Sequence, residues 1–210
     1  MLFLIYGLRS KQNAAVHAGE ENPVIGPDAT LRDVAFAVCT ALDRLGVHAV
    51  LCGGSAATVY APEAYQSEDL DFVLSFGMED ASAVRDAVTS LGYTFKNGMF
   101  FHAASRFTVE FPRGPLAIGT ARIVATETIR DGDLVLHILS ATDAVTDRLN
   151  KYAAWDDFSA LHAAVAVATA TPIHLDAVRD FMRREGAATG FTRQYSEAWA
   201  VFERRVAEQH

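Results

Sequence analysis

The chain has 210 residues, of which 50% are hydrophobic and 21% charged, with a formal net charge of −8. That length accommodates one domain, or a compact domain with a helical extension, and supplies enough chain for a real core. The apolar fraction excludes a disordered protein, and no residue type is enriched as in a fibrous one.

No apolar run approaches the roughly 20 residues a transmembrane helix needs, so a soluble protein without membrane contact is expected. In Met1–Leu8 the apolar run is short and Arg9 and Lys11 follow it, whereas a secretory leader puts its charge first. The segment therefore reads as a strand or a packed arm, and residues 1–27 as an N-terminal arm ending in Pro23, Gly26 and Pro27. A helix follows, capped by Asp28 or Thr30, with Leu31, Val34, Ala35, Val38, Leu42 and Leu45 at helical spacing and Gly46 at its end. Val47–Cys52 reads as a buried strand running into Gly53-Gly54-Ser55 and a short helix toward Tyr60. Asp69–Leu74 is the second strand, and Asp80–Leu91 a helix stopped by Gly92.

A hairpin is predicted around Asn97-Gly98, joining Tyr93–Lys96 to Met99–His102. Phe107–Phe111 is a further strand, closed by Pro112-Arg113-Gly114-Pro115, and Ile123–Ile129 and Leu134–Ile138 flank an Asp131-Gly132 turn. From Ser140 the pattern turns helical. Ser140 and Asp143 form a capping box before Ala144–Ala154, and Asp156 or Asp157 opens a helix to about Ala170. Leu175–Glu185 and Phe191–Gln209 complete the set. The expected fold is α+β: a mixed sheet flanked by helices over residues 28–139, then a helical bundle over 140–210.

Cys39 and Cys52 show neither CxxC nor Cys/His metal spacing and read as small buried hydrophobes in a reducing cytoplasm. The seven histidines are scattered, and packing or surface roles are expected of them. Arg179, Arg183 and Arg184 lie near one helical face, which is either solvated or a polynucleotide contact. A pI near 5.3 argues against broad adhesion to nucleic acid.

The segment that carries chemistry is Gly53-Gly54-Ser55 followed by Asp69-Leu70-Asp71. Two glycines between a strand and a helix let the backbone turn and approach a ligand, while the helix N-terminus offers free N–H groups to phosphate oxygens. Asp69 and Asp71 are two apart on a strand, so both carboxylates leave one face. Like charges held that close call for a cation, and hard divalent ions take oxygen ligands. Glu110, flanked by Val109 and Phe111, either replaces an apolar residue or lies on the strand's exposed face. Phosphate grip, two aspartates and a third acid suit two metals about 3.5–4 Å apart driving an in-line displacement at phosphorus.

Gly53-Gly54-Ser55 with Asp69-Leu70-Asp71 resembles the signature of the nucleotidyltransferase superfold, the polymerase-beta-like fold. Among its branches the chain is most similar to AbiEii-like and MenT-like bacterial nucleotidyltransferase toxins, over roughly residues 30–185. The resemblance implies Mg²⁺-dependent transfer of a nucleoside monophosphate from an NTP to an acceptor, with RNA, at the 3′ end of tRNA, as that acceptor and a cognate antitoxin protein as partner. It places the NTP on Gly53, Gly54 and Ser55, with a hydroxyl at Ser67. It puts the metals, as a two-metal site, on Asp69, Asp71 and Glu110. A helical lysine on the triphosphate and a later acid correspond to Lys151, for which a surface role is the alternative, and to Asp147 or Asp157. Arg148 is a second phosphate contact or an ion-pair partner of Asp147 or Asp157. Two rivals remain: the same chemistry on a small molecule or a protein hydroxyl, and a non-catalytic nucleotide- or partner-binding module.

Overall fold

A computed structural model describes residues 23–74, 81–121 and 124–209; the predicted N-terminal strand, Asp80 and Ile123 lie outside these. Helix α1 (Leu31–Asp43) opens with a full capping box, Thr30 accepting from the Asp33 N–H and Asp33 accepting in return from the Thr30 N–H. β1 (Ala49–Cys52) leads without a loop into α2 (Gly53–Tyr60), and β2 (Asp69–Leu74) follows. Next come α3 (Ala81–Ser90) and the hairpin β3 (Tyr93–Lys96) and β4 (Met99–His102), turned by Asn97 and Gly98, both at positive φ. β5 (Thr108–Glu110) is shorter than the predicted Phe107–Phe111 because only three residues pair with β2. β6 (Thr126–Asp131) and β7 (Leu134–Leu139) form the second hairpin. Four helices end the chain: α4 (Ala141–Trp155), α5 (Phe158–Ala170), α6 (Leu175–Thr189) and α7 (Thr192–Ala207).

The strands form one mixed sheet in the order β3-β4-β5-β2-β1-β7-β6. β1 runs antiparallel to β2 and parallel to β7, and β2 runs parallel to β5. One apolar core joins Leu51, Leu70, Phe72 and Val109 of the sheet to Val34, Val38 and Leu42 of α1 and Val84 and Val88 of α3. A second joins Ala57 and Ala61 to Val145, Leu149, Leu161, Val178 and Phe202 of α4–α7. α2 belongs to both regions, as the short helix packs on β2 and on α4 and α5.

The Ser140 cap is only half a box. Ser140 Oγ accepts from the Asp143 N–H, but the Asp143 carboxylate reaches away to the Ala125 N–H, tying α4 to the start of β6. Asp157, not Asp156, caps α5. Both cysteines are free, and burial pushes both thiols up, that of Cys39 to about 12. His48 stacks on His137, whose ring nitrogens meet Asp43 and Thr128. Arg179 and Arg183 pair with Asp176 and Asp180 one turn back on α6, as on a solvated helix face. No helix of the described residues is long and apolar enough to cross a membrane.

Candidate active site

Strand register gathers the acids. Cys52 on β1 faces Asp71 on β2, and across the parallel pair Asp69 faces Thr108 and Asp71 faces Glu110. Side chains alternate along strands and register partners share a face, so Asp69, Asp71, Thr108, Glu110 and Cys52 leave one side of the sheet. Leu70, Phe72 and Val109 leave the other side, into the core. Glu110 is half-buried on the acid face. Its carboxylate therefore does not replace a core residue.

The double-glycine turn is built against Asp71. Gly53 has φ +67°, a region L side chains rarely adopt, and a Cβ there would fall 2.5 Å from Asp71 Oδ2. At Gly54 a Cβ would fall 3.1 Å from Tyr65 Oη and 3.2 Å from Ser67 Oγ. Glycine is thus required at Gly53 for conformation and space together, and Gly54 has Tyr65 and Ser67 beside it. No side chain caps the N-terminus of α2.

Ser55 differs from the sequence expectation in what its hydroxyl does. It is fully buried; its Oγ donates to the Cys52 carbonyl at 2.7 Å and accepts from the Asp71 N–H at 3.3 Å. The hydroxyl therefore bolts the end of β1 to the backbone of Asp71. Ser67 is tied in nearby: Thr58 Oγ1 accepts from the Ser67 N–H at 2.9 Å, and Ser67 Oγ donates to the Asp69 carbonyl at 3.2 Å.

Electrostatics single out Asp71. Burial, then the neighbouring charges of Glu110, Asp69 and Asp147, push its carboxyl up from 3.8 to about 6, against the opposing pull of Arg148. Asp69 is exposed and its Oδ1 accepts a short hydrogen bond from Thr108 Oγ1. Arg148 has an 11% exposed side chain whose Nε and Nη2 both donate to Asp147 Oδ2, at 3.0 and 2.7 Å. Both residues lie close enough to Asp71 and Cys52 for their charges to be felt there. Asp147 is the acid that strand logic alone misses. Its signal is its place beside Arg148 on the helix that follows the sheet.

Lys151 is half exposed, with Nζ 3.2 Å from Asp157 Oδ2. Asp157 in turn accepts from the Ala160 N–H at 3.0 Å, so it serves α5 and does not join the acid face. The structure thus brings Gly53, Gly54, Ser55, Ser67, Asp69, Asp71, Glu110 and Arg148 together around one end of β1 and β2. Lys151 stands a helical turn further along α4.

As a donor set the carboxylates of Asp69, Asp71 and Glu110 are all oxygen and suit a hard cation. In the present rotamers, however, no group of three or more His, Cys, Asp or Glu among the described residues is arranged to hold a metal ion. Register has aligned the carboxylates on one face, and their side chains must turn toward one another to share a ligand. A cleft of about 810 Å³ lies elsewhere, between the start of α1, the end of α2 and the β4–β5 loop; none of Asp69, Asp71, Glu110 and Asp147 lines it.

No protein-family model and no curated protein matches the chain. Among solved structures, the chain is similar to an antigenic nucleotidyltransferase-like protein from Paracoccidioides brasiliensis, at 14% identity and a TM-score of 0.47, over 65% of this chain and 74% of that one. It is also similar to the antibiotic-resistance factor ANT(2'')-Ia, at 12% identity and a TM-score of 0.37, over 81% of this chain and 90% of that one.

Proposed function

We propose that this chain is a Mg²⁺-dependent nucleotidyltransferase. The observation that carries the reading is Asp71: its carboxylate is pressed against Gly53, a backbone position that must be glycine, beside Glu110 and on the face of Asp69. An acid pushed up to about 6 by burial, and then by the carboxylates around it, is in the electrostatic state that a bound cation relieves.

Asp69, Asp71 and Glu110 would hold the metal, which supplies charge neutralisation for the triphosphate and the departing pyrophosphate. The uncapped N–H groups of Gly53 and Gly54 meet phosphate oxygens at the positive end of α2. Ser55 keeps that turn and Asp71 in fixed relation, and Ser67 lines the turn at Gly54. Arg148 provides positive charge beside Asp71; Lys151, paired with Asp157, would reach the triphosphate only by leaving that partner. The acceptor hydroxyl oxygen bonds to the α-phosphorus and gives up its proton to solvent, the bond from that phosphorus to the β-phosphate oxygen breaks, and pyrophosphate leaves. We read residues 28–139 as the transferase core and 140–210 as its helical C-terminal domain.

For the acceptor we propose RNA, at the 3′ end of tRNA, on the toxin-like resemblance of the Gly-Gly-Ser and Asp-Leu-Asp motifs, with an antitoxin protein as partner. The net charge of −8 favours the second reading, a small molecule or protein hydroxyl. The separated carboxylates favour a third, a nucleotide-binding module without catalysis.

The test is label transfer from each α-³²P NTP with Mg²⁺ into total RNA and protein, beside Asp71→Asn and EDTA controls. Label in the tRNA band, lost in both controls, is the expected result. Label in protein replaces the acceptor. NTP binding without transfer supports the module, and a folded protein that neither binds nor transfers NTP overturns the proposal.

A further inference from the structure

Trp155, the last residue of α4, is 79% exposed. Tryptophan carries a large apolar surface, and Phe158, three residues on, is 61% exposed, so the junction of α4 and α5 presents two aromatic side chains to solvent. The Trp155 backbone is nevertheless held firmly on both sides. Asp156, next in the chain, takes the left-handed conformation at φ 53°, uncommon for a residue other than glycine, and its N–H donates to the Tyr152 carbonyl at 2.8 Å. Asp157 caps α5 and pairs with Lys151, and the Tyr152 ring rests on Phe158 with centroids 5.4 Å apart. A rigid, strained corner therefore presents the indole outward.

The corner lies further along the helix that carries Arg148. Residues 148, 151 and 155 are spaced by three and four, which puts them on one stripe of α4. Arg148 on that stripe acts on Asp71. Seven residues at 1.5 Å each set Trp155 about 10.5 Å along the helix from Arg148. From the other side, Tyr65 Oη, beside Gly54, lies 3.4 Å from Ser159 Oγ, and its ring meets His162 edge-on. The first turns of α5 thus stand beside the Gly54 turn.

Lys151 at the corner is paired with Asp157, and the exposed Asp156 adds a further carboxylate, so the corner is poorly suited to a phosphate chain and better suited to an uncharged planar ring. We propose that Trp155 is the stacking platform for the base of the nucleotide whose phosphates lie at the Gly53–Gly54 turn. This rests on the NTP-binding reading above and adds where the base goes.

Only two tryptophans exist, so Trp199→Phe leaves Trp155 as sole reporter. In that protein, NTP with Mg²⁺ quenches the emission saturably and inorganic tripolyphosphate does not; in Trp155→Phe the remaining Trp199 emission is unchanged by NTP. Trp155→Ala weakens NTP affinity in equilibrium dialysis by roughly 5- to 100-fold, the span of alanine substitutions at base-stacking aromatics, and Trp155→Phe restores most of it. NTP binding in dialysis with unaltered Trp155 emission and no loss in Trp155→Ala overturns the proposal and leaves the NTP reading intact. Quenching by RNA alone, and not by NTP, also overturns it, making Trp155 an acceptor contact. Absence of NTP binding in every protein overturns both.

Discussion

Replacing Asp71 by Asn should stabilise the protein when no metal is present. The Asp71 carboxyl moves from 3.8 unfolded to about 6 folded. Between those values the folded chain holds a proton that the unfolded chain has lost, so stability falls as pH rises and the full penalty is reached above about pH 6. At face value the shift corresponds to about 3 kcal/mol. Solvent reaches this half-buried group, and screening reduces the expected figure to about 1–2 kcal/mol. Urea denaturation in EDTA at pH 8 should therefore show Asp71→Asn more stable than wild type by that amount, with the advantage gone near pH 4. Mg²⁺ should then stabilise wild type, by about 2.7 kcal/mol at a hundredfold excess over its Kd, and leave the variant unmoved. An Asn variant less stable than wild type at pH 8, or one with the same increment at both pH values, refutes the reasoning.

Gly53→Ala forces a left-handed backbone on a Cβ that meets the Asp71 carboxylate; a loss of about 1–2 kcal/mol from conformation alone is expected in denaturation, with NTP affinity falling further than stability. Arg148→Met removes the charge that opposes the rise at Asp71, so the acidic limb of the pH–rate profile should move to higher pH while the chain stays folded. On α6, the buried Glu185 carboxylate accepts from the Thr120 N–H and hydroxyl. Glu185→Ala should cost about 1–3 kcal/mol by urea melting and leave NTP affinity unchanged, since it clamps the loop before β6 and touches nothing on the acid face.

Local chemistry made much of the fold legible. Thr30 and Asp33 announce α1, Asn97-Gly98 and Asp131-Gly132 set their hairpins, and the Gly-Gly turn marks the strand-to-helix passage. What the sequence leaves open is mostly long-range. The parallel pairing of β2 with β5 brings Glu110 beside Asp71 across 39 positions, and no local pattern encodes that neighbour. Asp143 reads as a capping-box acid, yet Ala125 offers its carboxylate an N–H that the box does not. Ser55 reads as a phosphate-binding hydroxyl, but the two strands beside it take both of its hydrogen bonds. Asp147 joins the acids only because α2 and α4 pack together.

The most direct test of the account is a crystal structure with Mg²⁺ and a non-hydrolysable NTP. The account predicts metal between the carboxylates of Asp69 and Asp71, with Glu110 turned toward it and the triphosphate along the N–H groups of Gly53 and Gly54. Nucleotide seated instead in the 810 Å³ cleft beside Arg32 and Arg106, with no metal at Asp71, would contradict it.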